Sequence, residues 1–99
     1  MILAEVIRKK WGVDSFTVKN HGDSYVCSAV SMLVLNTVNS IEALTDQAFD
    51  CDYNNEGGYI SFYLTGPMRS GTAILLDSMI LGLTSVQDQY PTEIKLTII

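Results

Sequence analysis

Histidine occurs once in this 99-residue chain and cysteine twice. A structural zinc site needs four N or S ligands, so Cys and His alone cannot build one within a single copy. Two cysteines allow at most one bridge, which excludes a disulfide-stapled scaffold and fits a reducing compartment. Positive charge is scarce as well: six basic residues stand against eleven acids, for a net charge of -5. Such a field repels phosphate backbones, so no direct nucleic-acid partner is expected. The one basic run, Arg8-Lys9-Lys10, reads as a solvated turn, and the acids Glu42, Asp46, Asp50, Asp52 and Glu56 as a solvated face. The N-terminal residues Met1-Ile2-Leu3-Ala4-Glu5 lack the basic region and unbroken apolar core of a secretory leader. The expectation is a soluble, cytoplasmic protein with no metal and no cofactor. Any histidine-dependent chemistry has to use His21.

What the chain does have is apolar surface, 47% of its residues, in a length suited to one domain spanning 1–99. Ile2 to Lys9 reads as a first strand, Trp11-Gly12 as a turn, and Val13 to Lys19 as a second, alternating strand with Phe16 and Val18 inward. Asn20 to Ser24 is a polar loop. From about Tyr25 to Leu44 the period becomes helical, with Val26, Val30, Leu33, Ile41 and Leu44 on one face, widened by Ala29, Val34 and Val38. The uncharged run from Ser24 to Ile41 holds four serines, two asparagines and a threonine, which suits a buried globular helix better than lipid, so no membrane contact is expected. Ala48 to Tyr53 alternates again, Phe49, Cys51 and Tyr53 facing a core. Asn54-Asn55-Glu56-Gly57-Gly58 is a hairpin turn, and Ile60, Phe62 and Leu64 give the next strand its inner face. A second helix, Ser70 to Tyr90, carries a stripe of Leu76, Met79, Leu83, Val86 and Tyr90 and ends at Pro91, before a last strand with Ile94, Leu96 and Ile98. The order ββαββαβ predicts an α+β domain of two layers, two helices on one face of a mostly antiparallel sheet. Its leftover apolar surface points to a homodimer.

The loop between the second strand and the first helix carries the chemistry. His21 ends a strand and Cys27 follows in the first turn of a helix, with Gly22 allowing a tight reversal between them. Helix N-termini favour a thiolate, and a neighbouring imidazolium adds to that, as in Cys–His hydrolases. Free N–H groups around Val26 to Ala29 are candidate donors to an oxyanion. Asp23 opposes ionisation of the sulfur unless it pairs with His21, and Ser31, one turn beyond Cys27, is placed to touch the sulfur or a substrate. On spacing alone, a surface histidine and a buried cysteine remain the commoner reading of this pair. Cys51, pointing inward with Phe49 and Tyr53, has no assigned chemistry.

The stretch His21-Gly22 … Val26-Cys27-Ser28-Ala29-Val30-Ser31 resembles the ribosomal-processing cysteine protease family, Prp. The likeness continues in Asn36-Thr37-Val38-Asn39-Ser40-Ile41, in Leu75 to Leu83 and in Gln89-Tyr90-Pro91, so it runs through nearly the whole chain. It implies a dimeric cysteine endopeptidase that removes an N-terminal extension from a large-subunit ribosomal protein. By this likeness Cys27 is the nucleophile and His21 the general base, with Ser31, Asp23, Gly22 and Ser28 as supporting or substrate-contacting residues. Three features depart from the family pattern. Asn20 and Gly22 flank His21 where Gly and Ala are usual, the His-to-Cys loop is shorter than in many members, and Ser24 stands where an acid is common. Two other readings stay open: a non-catalytic dimeric module that binds a peptide, and a redox-sensing thiol at Cys27.

Overall fold

The computed structural model describes residues 1–54 and 58–99. These form β1 (Ile2–Lys9), β2 (Gly12–Lys19), α1 (Ser24–Leu44), β3 (Phe49–Asn54), β4 (Tyr59–Leu64), α2 (Ser70–Gln89) and β5 (Ile94–Ile98). The strands make one sheet in the order β3-β4-β2-β1-β5. Its pairings are antiparallel except β1 with β5, which run parallel because α2 carries the chain back across the sheet. The expected ββαββαβ order and two-layer α+β architecture are thus what is found. Residues 55–57 of the expected hairpin turn lie outside the described residues, while the strands that flank it pair from Asn54 and Tyr59 onward.

One sheet face and one face of each helix enclose the core. Alternation supplies Ile2, Ala4 and Val6 from β1, Phe16 and Val18 from β2, and Ile60 and Phe62 from β4. Phe62 is fully buried between two other rings, stacking on Phe16 at 5.0 Å and on Phe49 at 5.1 Å between centroids. Val13 is buried as well, out of phase with Phe16. The pairing steps from Ile7↔Ser15 to Arg8↔Val13, so Asp14 is an extra residue in β2. This bulge shifts the parity of the strand and turns Val13 inward.

The helices follow their predicted stripes in the middle and leave them at the ends. On α1, Val26, Val30, Val34, Thr37, Val38 and Ile41 are buried. Thr37 fits inside because its hydroxyl donates to the Leu33 carbonyl at 2.7 Å. Leu44 was expected on this face but is 75% exposed. The helix spans about 31 Å at 1.5 Å per residue, and its last turn overshoots the core. Tyr90 likewise falls at the end of α2 and is exposed, while Thr72 and Ile80 join Leu76, Met79 and Leu83 inside. Although α1 is long and apolar enough to cross a membrane, its buried face is covered by the sheet and α2. Buried Gln47 joins two loops: its amide donates to the Ala48 and Pro67 carbonyls, and its Oε1 accepts from the Arg69 N–H at the start of α2.

Cys51 sits half-buried on edge strand β3 and packs against the core, as its alternation predicted. Burial, and secondarily the charge of Asp52, push its thiol above the ordinary value of 9.0, so it stays protonated at neutral pH. Tyr53, expected on the same inward face, is exposed instead and turns toward a cavity between α1 and the β3–β4 pair.

Candidate active site

The corner where β2 meets α1 is built by local backbone rules. Asn20 leaves the strand at φ 73, in the left-handed region that asparagine tolerates better than most residues. This turns the chain at His21 and Gly22 into the helix. Asp23 is the N-cap, and its Oδ1 accepts the Tyr25 N–H at 2.9 Å. The Asp23 carboxylate is therefore engaged in capping. Helix α1 begins at Ser24, which makes Cys27 its fourth residue, and the Cys27 N–H donates to the Asp23 carbonyl at 2.8 Å. The set of free N–H donors expected over Val26 to Ala29 is accordingly smaller. Cys27 already bonds in the ladder, and Ser28 and Ala29 lie deeper in it.

A different donor faces the sulfur. The Gly22 N–H points to Cys27 Sγ at 3.1 Å, and Sγ lies 3.6 Å from the Gly22 carbonyl oxygen. A thiol satisfies both contacts, accepting one and donating the other. For a thiolate the N–H contact becomes charge-assisted. Gly22 is hemmed in on its other side: a Cβ there would stand 3.2 Å from Glu93 Oε2 and 3.4 Å from Ile2 Cγ1.

His21 and Cys27 line the same cavity, of ≈150 Å³, open to solvent along α1. Ser31 lines it one turn beyond the sulfur. Ser28 is exposed and, like Asp23, is not among the described residues lining it. The opposite wall comes from the β3–β4 pair, where Tyr53 and Tyr59 present exposed rings and Gly58 meets the imidazole. Gly58 adopts φ 59, and a Cβ at this position would lie 2.7 Å from His21 Cε1 and 2.8 Å from Nε2. The His21 ring thus rests on a bare stretch of backbone. A broader groove of ≈870 Å³ continues from this cavity, sharing Leu35, Tyr53 and Ile60 with it and carrying Glu42 and Asp50 on its walls. No group of three or more potential metal ligands occurs among the described residues.

Gly58, Tyr53 and Tyr59 escaped the sequence reading as site residues. The glycine looked like ordinary turn chemistry, and the tyrosines looked like strand alternation. The pairing of β4 with β2 joins them to His21, with Ile60 opposite Val18.

A thiol at a helix start, an imidazole lining the same cavity and a broader groove adjoining it suit nucleophilic chemistry. Comparisons with known proteins agree. Residues 1–95 match the family described as cysteine protease Prp. The ribosomal processing cysteine protease Prp of Staphylococcus aureus is 25% identical over 76 residues, covering 77% of this chain and 72% of that protein. Its Bacillus subtilis counterpart is 27% identical over 81 residues, covering 78% and 72%. In fold, the chain superposes on the S. aureus Prp crystal structure with a covalently linked product peptide at a TM-score of 0.93, with 23% identity and full coverage of both chains. A Streptococcus mutans crystal structure superposes at 0.89 with 28% identity, covering 100% of this chain and 97% of that one. With a family match that takes in both His21 and Cys27 and nearly the whole fold, the chain belongs to the Prp family of cysteine proteases.

Proposed function

We propose that the chain is an endopeptidase that cleaves an N-terminal segment from a large-subunit ribosomal protein in the cytoplasm, with Cys27 as nucleophile and His21 as general base. The observation that carries this reading is the shared cavity of His21 and Cys27, with the Gly22 N–H directed at the sulfur. His21 takes the thiol proton, and the sulfur adds to the scissile carbonyl. Collapse expels the amine, which receives the proton from His21, and leaves a thioester. Water, deprotonated by His21, then hydrolyses the thioester and frees the thiolate. The adjoining groove past Leu35 and Tyr53, of ≈870 Å³, offers room for residues of the peptide on one side of the scissile bond. The test is incubation of the reduced protein with such an N-terminal peptide at neutral pH, followed by mass spectrometry. Two product fragments are expected. An intact peptide would overturn the proposal, and if that peptide binds without being cut, the chain is a binding module on a protease fold.

Gly58 offers a finer test of the base. Gly58→Ala forces the imidazole to move by several tenths of an ångström, so turnover should fall about tenfold to a hundredfold. Alanine at φ 59 also costs about 1 kcal/mol of stability, so the comparison is made where the variant is fully folded. Substrate affinity should change far less than kcat, and an unchanged kcat there would refute this role.

A homodimer is part of the same proposal. Its support is the outer face of the helix layer, where Met32 on α1 and Ile74 and Leu81 on α2 are 70%, 70% and 71% exposed. Ile74 and Leu81 are seven residues apart and share a face. Sedimentation should show a dimer for the wild type and a monomer for the Ile74→Glu, Leu81→Glu double variant. A wild type that stays monomeric at high micromolar concentration removes this part of the proposal.

A further inference from the structure

The segment joining His21 to Cys27 is tied down from the far end of the chain. Glu93 sits in the short turn between α2 and β5. Its Oε2 accepts the Asp23 N–H at 3.0 Å, and its backbone carbonyl accepts the Ile2 N–H at 2.8 Å. The turn is itself closed by the Glu93 N–H on the Tyr90 carbonyl at 2.9 Å. Gly22 lies in contact with this arrangement, its α-carbon facing Glu93 Oε2, the Glu93 carbonyl and Ile2 Cγ1. The peptide N–H that reaches Cys27 Sγ belongs to the same Gly22. One continuous path therefore leads from Glu93 through Asp23 and Gly22 to the nucleophile.

From these contacts we infer that Glu93 is a positioning residue for Cys27: it holds the Gly22–Asp23 segment so that the Gly22 N–H stays aimed at the sulfur before any substrate arrives. The inference rests on the reading of Cys27 as the nucleophile, but its geometry stands without that reading. A short segment suits this device, because few backbone dihedrals remain free once Asp23 is held at both its N–H and its capping carboxylate. Glu93 is not among the described residues lining the cavity or the groove, so its effect is expected through the backbone it holds.

The side chain has two properties that substitution separates. Glu93→Gln keeps an oxygen that accepts the Asp23 N–H and removes the charge, whereas Glu93→Ala removes both. The alanine-to-glutamine comparison therefore isolates the hydrogen bond. Site-resolved alkylation by iodoacetamide, read by mass spectrometry, reports on Cys27, with Cys51 on β3 as an internal reference. The Cys27 rate in Glu93→Ala should fall about threefold to tenfold below that in Glu93→Gln, the range expected for losing one hydrogen bond at the segment. Cys51 should react equally in both. Amide exchange followed by NMR should speed up at Gly22 and Asp23 in the alanine variant and not in the glutamine variant.

Should Glu93→Ala fail to fold, Gly22→Ala takes its place, since its new methyl group crowds Glu93 and Ile2 and should likewise slow Cys27 relative to Cys51. Equal Cys27 rates and equal exchange in the alanine and glutamine variants overturn the inference, as does an unchanged Cys27 rate in Gly22→Ala. None of these readouts needs peptide cleavage. A wild type that cuts no peptide would sink the protease proposal and leave the brace standing.

Discussion

Cys27→Ala is expected to lower peptide cleavage by about four orders of magnitude or more, to the level of the uncatalysed background, because no covalent route survives without the sulfur. The loss should come in kcat, since the groove that binds the peptide is lined mainly by other residues. Stability should change by only about 1 kcal/mol, as Cys27 is half-buried and its removal opens a small gap. His21→Ala should cost less, about a hundredfold to ten-thousandfold, the usual range for a general base. It should leave a thiol that still alkylates. Cys51→Ala should keep kcat near the wild-type value, with any change confined to KM, because Cys51 lines the adjoining groove and not the cavity that holds His21 and Cys27. Progress curves on one peptide, read by mass spectrometry, give all three comparisons. Turnover by Cys27→Ala within tenfold of wild type would mean that another group is the nucleophile, with Ser31 in the same cavity the first to examine.

Phe62→Ala is expected to be the most damaging single change to the fold. The ring is wholly buried and stacked on both Phe16 and Phe49, so its loss leaves a cavity beside both of these rings. Phe→Ala in a core costs about 3–5 kcal/mol. A domain of this size has about 5–15 kcal/mol in all. The melting temperature should drop by about 15–30 °C, as read by calorimetry or circular dichroism. Phe62→Leu, which keeps most of the volume, should lose less than half as much. A drop of only a few degrees for the alanine variant would show that the strands collapse onto the gap. Two residues from Phe62 on β4, Ile60 lines both the cavity that holds His21 and Cys27 and the groove, so activity should suffer at temperatures where the variant is still folded.

Much of this architecture is legible in the sequence because it depends on period. Two-residue alternation in β1, β4 and β5 and helical spacing in α1 and α2 determine which residues face inward, whatever they meet there. The exceptions are places where the period breaks or the core ends. Val13 is buried because a bulge at Asp14 resets its strand, and a bulge leaves no mark in an alternation pattern already polar at that point. Leu44 fits the helical stripe but sits where there is no longer a sheet beneath it. That His21 and Cys27 share a cavity is legible because they are close in sequence and the chain has no other histidine. Gly58 and Glu93 are not legible. Each meets the site across dozens of residues of intervening chain, and nothing local to a glycine in a turn or a glutamate before a strand tells which loop it will touch.

The parallel pairing of β5 with β1 has one more consequence, which concerns time. Ile2 pairs with Ile94, so this part of the sheet joins segments far apart in sequence, the kind of contact that closes late in folding. The His21–Cys27 segment is local by comparison, and Glu93 reaches it from beside this long-range pairing. A folding chain can bring His21 and Cys27 together while the segment between them still lacks its contact with Glu93. The contact between Glu93 and Asp23 is thereby expected to form with the last pairing of the sheet and not before it.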